Sequence, residues 1–285
     1  LEDQSFDYGL APGESFDPDD DREVDRSAPH VMTVLGPIHP GALGAVNLAA
    51  SFVPRAPGAD IAELLNEIQE SAAVGLNALV DLGPIIAADE ARAALWMAER
   101  CDIHLVVGTG IDPDAGVSAN VNRIVEEAGA GMRGTRLSPG LIVAEPDDRA
   151  VRIALAASEA TGLPLVVDTR NNRRIPQIDG EIPRLCVYPN QAVEIQSRLI
   201  VDLATTGDRS DALVGIPFIV NNQQVLVGYD PPGRGDSLFS RWNWLIEEFP
   251  IALLEAGFDA LQARALLVDD PAEFLTITLP APPRC

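Results

Sequence analysis

Short runs rich in Val, Ile and Leu alternate along most of this chain with stretches of helical periodicity, and that alternation constrains the fold more than any other feature. Ala45–Ala49, Ala78–Leu82, Ile103–Val107, Gly134–Leu137, Leu163–Val167 and Leu185–Tyr188 read as successive strands. Between them, Ile61–Ala73, Ala88–Arg100, Ser118–Ala128, Arg149–Thr161 and Ala192–Ala204 read as helices, the fourth of them closed by Gly162. Strands that alternate with helices imply a parallel sheet with helical crossovers, an α/β architecture.

Two crossovers break the pattern. Residues 169–183 are polar, proline-broken and without helical period. Leu213–Val220 and Gln224–Val227 are separated only by Asn221, Asn222 and Gln223, too little for a parallel crossover, so the two runs are expected to pair as a hairpin. Outer helices five and seven are therefore expected to be missing or reduced. The apolar face left bare would be covered by another copy of the chain or by a protein partner. Residues 1–29, with Asp17, Asp19, Asp20, Asp21, Glu23 and Asp25 clustered among Pro and Gly, read as an acidic, flexible tail ahead of one domain at 30–285.

The 285 residues carry a net charge of −23, which argues against nucleic acid or an anionic membrane surface as partner. No apolar run is long enough to span a bilayer, and Leu1–Asp25 does not have the pattern of a signal peptide. The cysteines, Cys101, Cys186 and Cys285, are sparse and lack metal-ligand spacing, which points to a reducing, cytoplasmic setting. All 20 basic residues are arginine, and the chain has three histidines, His30, His39 and His104. A lysine Schiff base and a carbamylated lysine are both excluded.

The stretch Val31–Phe52, VMTVLGPIHPGALGAVNLAASF, resembles the N-terminal signature of the phosphotriesterase-related family of the amidohydrolase superfamily. LNALVDLG, ERCDIHLVVGTGI, ATGLPLVVDT, PRLCVYPN, QQVLVGYD and LLVDDPAEFLTI resemble its later segments in order, so that the likeness runs from Val31 to Ile277. The resemblance implies a TIM-type (β/α)8 barrel, here distorted, with its chemistry at the C-terminal ends of the strands. It also implies two divalent metals held by four histidines, an aspartate and a carbamylated lysine. Carried onto this chain, the first-strand histidines fall on Ala49 and Ser51, the lysine on Arg136, the later histidines on Asp168 and Pro189, and only the aspartate survives, as Asp230. Side chains of these types do not rebuild a zinc-type centre, so no metal and no cofactor is expected.

In place of the metals, the resemblance sets Arg136 between Asp168 and Asp230, with Tyr188, Tyr229, Asn47, Thr109, Arg170 and Trp242 near the same rim. One reading is a neutralising salt bridge that plugs the pocket. The other is a metal-free site in which Arg136 and Arg170, helped by Asn47, Thr109 and Trp242, hold a small, possibly anionic substrate. Asp230 or Asp168 would then move a proton, with Tyr188 or Tyr229 as donor. The leading expectation is a metal-independent enzyme of isomerase, cyclase or lyase type. The alternatives are an inactive pseudoenzyme acting as a binding or regulatory subunit, and a hydrolase with an atypical metal site.

Overall fold

The computed structural model describes residues 28–50, 52–54, 61–169, 185–188, 198–203, 225–229 and 242–278, with the backbone alone for 49, 185–188, 199, 201 and 202. Its centre is an eight-stranded parallel sheet: β3 (Ala45–Ala50), β4 (Leu76–Ile85), β5 (His104–Gly110), β6 (Leu141–Ala144), β7 (Leu165–Asp168), β8 (Leu185–Tyr188), β9 (Arg198–Asp202) and β10 (Val225–Gly228). Each strand pairs in parallel with the next in sequence, the topology of a (β/α)8 barrel. A small antiparallel sheet of β1 (His30–Thr33), β2 (Gly36–Ile38) and β11 (Thr276–Ile277) closes the N-terminal end, where the Val34 amide donates to the Leu105 carbonyl at 2.7 Å.

Strand side chains alternate between two apolar layers, as a period of two requires. Val46, Leu48, Ala78, Val80, Val106 and Val166 form an interior cluster. Leu79, Leu105 and Val107 pack outward against α1 (Ile61–Ala73) and α2 (Ala88–Ala98), while Ile142, Leu165 and Val167 pack with α3 (Val117–Ala130) and α4 (Asp148–Thr161). Strands buried on both faces read as the near-continuous hydrophobic runs seen in the sequence.

Capping fixes where the helices begin and end. Glu90 accepts from the Ile86 and Ala87 amides at 2.7 and 3.0 Å, closing the start of α2. Asp147 accepts from the Arg149 and Ala150 amides, both at 2.9 Å, and starts α4. Gly162, at φ 73°, ends α4 so tightly that a Cβ there would lie 2.8 Å from the Thr278 carbonyl oxygen.

Two expected elements are corrected. Barrel strand four is Leu141–Ala144; the expected strand over 134–137 belongs to a turn that follows a short 3-10 segment, Met132–Gly134. Arg198–Asp202, expected within a helix, is barrel strand seven, because Leu199, Ile200 and Val201 make a continuous apolar run suited to a buried parallel strand. Strand eight accordingly pairs in parallel with 198–202, and residues 203–224 have the length that a crossover needs. Leu213–Val220, the turn Asn221–Gln223 and residues 170–184 lie outside the described residues.

The barrel seam between β3 and β10 is stitched by a side chain. The buried Asn47 carboxamide donates to the Tyr229 carbonyl at 2.8 Å and accepts from the Tyr229 amide at 3.0 Å, copying a strand pair. Asn47→Leu keeps the volume but takes these two bonds from the Tyr229 backbone, and is expected to cost about 2–3 kcal/mol. Chemical denaturation checks it; a midpoint unchanged from wild type would contradict the stitch.

His104 opens β5 at the N-terminal end of the barrel, and burial pushes its imidazole down from the usual 6.5 to about 4. Between those values the unfolded chain binds a proton that the fold refuses, so stability should fall as pH drops from about 6.5 to 4, by about 2–3 kcal/mol. A flattened pH slope in His104→Gln is the expected outcome, read from denaturation midpoints; an unchanged slope would contradict the assignment. No described helix is long and apolar enough to cross a membrane.

Candidate functional site

The ends of β4, β5, β6 and β7, with the segments that follow the first three, line a cleft of about 770 Å3 at the C-terminal end of the barrel. Pro84, near the end of β4, and Ile86, just past it, lie along one wall; Gly110 ends β5 and Asp112 follows it, Val143 lies in β6 and Glu145 follows it, and Asp168 ends β7. This is the face on which barrels of this kind carry out chemistry. Asp168 is half-buried, and its backbone pairs with Tyr188 on the neighbouring strand, so two of the expected site residues sit side by side in the sheet register.

The β5–α3 loop forms a rigid wall. Asn120, fully buried, accepts from the Asp112 amide and donates to the Asp112 carbonyl, both at 2.9 Å. Arg149 donates to the Pro113 carbonyl at 2.6 Å and also to the Ala115 carbonyl. Arg123 pairs with the buried Glu127 at 2.7 Å and reaches the Gly110 carbonyl at 2.5 Å. A fully hydrogen-bonded network of this kind holds the loop in one shape.

Several expected site residues belong to the frame and not to the cleft. Thr109 falls on the outward face of β5 and donates to Glu127 at 2.6 Å. Asn47 is spent on the seam. Tyr229, one residue beyond β10, packs its ring 4.8 Å from Trp244 in an outer cluster. Trp242 is fully buried in the core that α1 shares with the outward side of β4 and β5. Arg136 is corrected most sharply. It lies exposed on the turn before β6 and pairs with Glu99, just past α2, at 2.7 Å. Its expected position rested on a strand that is in fact Leu141–Ala144. Asp230 and Arg170 lie outside the described residues, as do Ser51 and Pro189.

The described residues do not fit a two-metal centre. Strand four ends in Val143 and Ala144, and the chain has no lysine to carry there. His30 lies in β1 and His104 at the foot of β5, both at the opposite end of the barrel, and His39 accepts from the Gly41 amide at 3.0 Å to cap the turn before β3. Among the described residues no three His, Cys, Asp or Glu side chains gather to hold an ion.

One carboxylate near the rim went unnoticed in the sequence. Asp81, fully buried in β4, accepts from the Phe52, Val53 and Gly83 amides at 3.1, 2.8 and 2.8 Å. It ties the exit of β3 to β4. Its signal was a charge inside the apolar run NALVDLG, where an acid must find donors.

No protein-family model and no curated protein matches the sequence. Solved structures do. A phosphotriesterase from Mycobacterium tuberculosis superposes with a TM-score of 0.67 at 15% identity, covering 87% of this chain and 99% of its own. A lactonase from Listeria monocytogenes gives 0.65 at 15% identity, over 87% and 99%. A variant of an organophosphorus hydrolase from Deinococcus radiodurans gives 0.65 at 16%, over 88% and 98%. Identities this low speak for architecture alone, and on architecture the chain has the α/β barrel fold of the phosphotriesterase-like hydrolases.

Proposed function

We propose that this chain is a divergent phosphotriesterase-like barrel that acts on a small organic molecule without a two-metal centre, with Asp168 as the group that moves a proton. The observation that carries this reading is a half-buried carboxylate at the end of a barrel strand, lining a cleft of about 770 Å3. That volume falls in the range of small-molecule sites. A carboxylate held at the edge of such a cleft can serve as general base or acid. Hydrolysis is harder to motivate without a metal-activated water, so isomerisation, cyclisation, elimination or decarboxylation is the natural class.

The structural neighbours, a lactonase and a phosphotriesterase, supply the contrasting probes. Chelator-treated protein assayed on lactones and aryl phosphotriesters, with and without added zinc, manganese or cobalt, should show no metal-dependent hydrolysis. Turnover restored by metal would overturn the reading and favour a hydrolase with an atypical metal site.

A second reading, a pseudoenzyme that binds a partner, is favoured by one observation. Asn47, Thr109 and Asp81, three of the polar groups near the rim, hold the frame together. Light scattering showing a compact monomer, with no protein co-purifying, would count against it.

A further inference from the structure

We propose that Pro84, Gly110 and Val143 form an apolar floor beside Asp168, and that this floor selects an uncharged substrate whose body is one ring or two fused rings. This deepens the reading of the cleft as the substrate site and rests on it.

The floor follows from where β5 lacks side chains. Val106, Val143 and Val166 belong to the interior cluster. Residues two apart on a strand share a face, so Gly108, Gly110 and Asp168 face the interior as well. Neighbouring side chains close over both glycines. A Cβ on Gly108 would lie 2.8 Å from Val143 Cγ2, and a Cβ on Gly110 would lie 2.8 Å from Pro84 Cβ. Gly110 and Val143 are partners in the register of β5 with β6. The three residues therefore make one continuous surface without a polar side-chain atom, and all three line the cleft.

Strand spacing fixes its size and its distance from the carboxylate. Across β4, β5 and β6 the floor is about 10 Å wide, room for one ring or two fused rings lying flat. Val143 pairs with Val166, and Asp168 stands two residues further along β7. The Cα atoms of Val143 and Asp168 are then about 8 Å apart, so a ring resting on the floor meets the carboxylate at its edge.

An ionic group set on such a floor gives up water without gaining a partner. The charged walls do not reverse this. Arg123 and Arg149 are turned to the Gly110, Pro113 and Ala115 carbonyls, and Asp147 caps α4. Arg133 and Glu145 are exposed, one before β6 and one after it. A net charge of −23 opposes an anion further. An uncharged ring gains dispersion contact across the floor and gives up little hydration.

The test is a titration of the full chain followed by saturation-transfer difference NMR, with cyclohexanol, 2-naphthol and myo-inositol as probes. myo-Inositol keeps the ring of cyclohexanol and sets a hydroxyl on every carbon. Cyclohexanol and 2-naphthol should bind, and myo-inositol at least about tenfold more weakly than cyclohexanol. Val143→Thr keeps the shape of the floor and puts a hydroxyl in it, and should weaken 2-naphthol at least about threefold. Gly110→Ala forces Pro84 to move and should weaken it as well; if that variant melts early, Val143→Thr carries the test. Leu261→Ser, on exposed α9 (Ala260–Arg264), should leave binding unchanged. Equal binding of myo-inositol, an unchanged Val143→Thr, a loss in Leu261→Ser, or no binding of either apolar probe would overturn the floor. Asp168→Asn separates the two readings. Rings that bind as stated to a protein whose turnover ignores Asp168 support the floor and sink only the catalytic assignment. Turnover that needs Asp168 in a protein that binds neither apolar probe sinks only the floor.

Discussion

Asp81→Ala should destabilise the fold by about 4 kcal/mol, the largest single-residue loss of stability expected in this chain. Three backbone amides converge on the buried carboxylate, from Phe52 and Val53 beyond β3 and from Gly83 in β4. Each is a charge-assisted bond, stronger than a neutral one. Removing the acceptor leaves three donors without it in a site that excludes water. Asp81→Asn should be nearly as harmful. Its amide supplies one acceptor oxygen where the carboxylate supplied two, and turns a donor toward amides that already donate. Thermal unfolding checks both variants, with a drop of about 10 °C expected for a chain of this size. Melting points close to wild type would mean that the exit of β3 is anchored elsewhere.

Asp168→Asn is expected to have the largest effect on activity. The substitution keeps the shape of a half-buried side chain at the end of β7 and removes its ability to carry a proton. General acid–base groups contribute about 10²- to 10⁴-fold, and the loss should fall on kcat with KM little changed. A rise in KM at constant kcat would assign Asp168 to binding alone. Retention of both would move the chemistry away from this strand end.

Much of the fold was legible in the sequence, for a physical reason. Strands buried on both faces write themselves as apolar runs: Leu76–Ile85 contains the run expected there, and His104–Gly110 and Leu165–Asp168 overlap theirs, each starting one or two residues later. The two elements that were misread had weaker punctuation. The short strand Leu141–Ala144 follows Pro139 and Gly140, which read as loop, while the turn near 134–137 carries a deceptive GTRL. Arg198–Asp202 lies in a stretch with helical spacing, and its run of branched residues decides for a strand.

The site was less legible, because position along a strand was read without its facing. On β5, Val106 belongs to the interior and Thr109, three residues on, turns to α3. Asn47 lies between Val46 and Leu48, both interior, and so faces out to the seam. Period-two counting from the buried runs would have found this.

Metal content of the purified full-length chain, measured by inductively coupled plasma mass spectrometry alongside turnover before and after chelation, tests the central claim most directly. A barrel that works without the two-metal centre should carry zinc, manganese and iron well below one ion per chain, and chelation should leave its turnover unchanged. One or two bound ions per chain, with activity that falls on chelation and returns with metal, would contradict it.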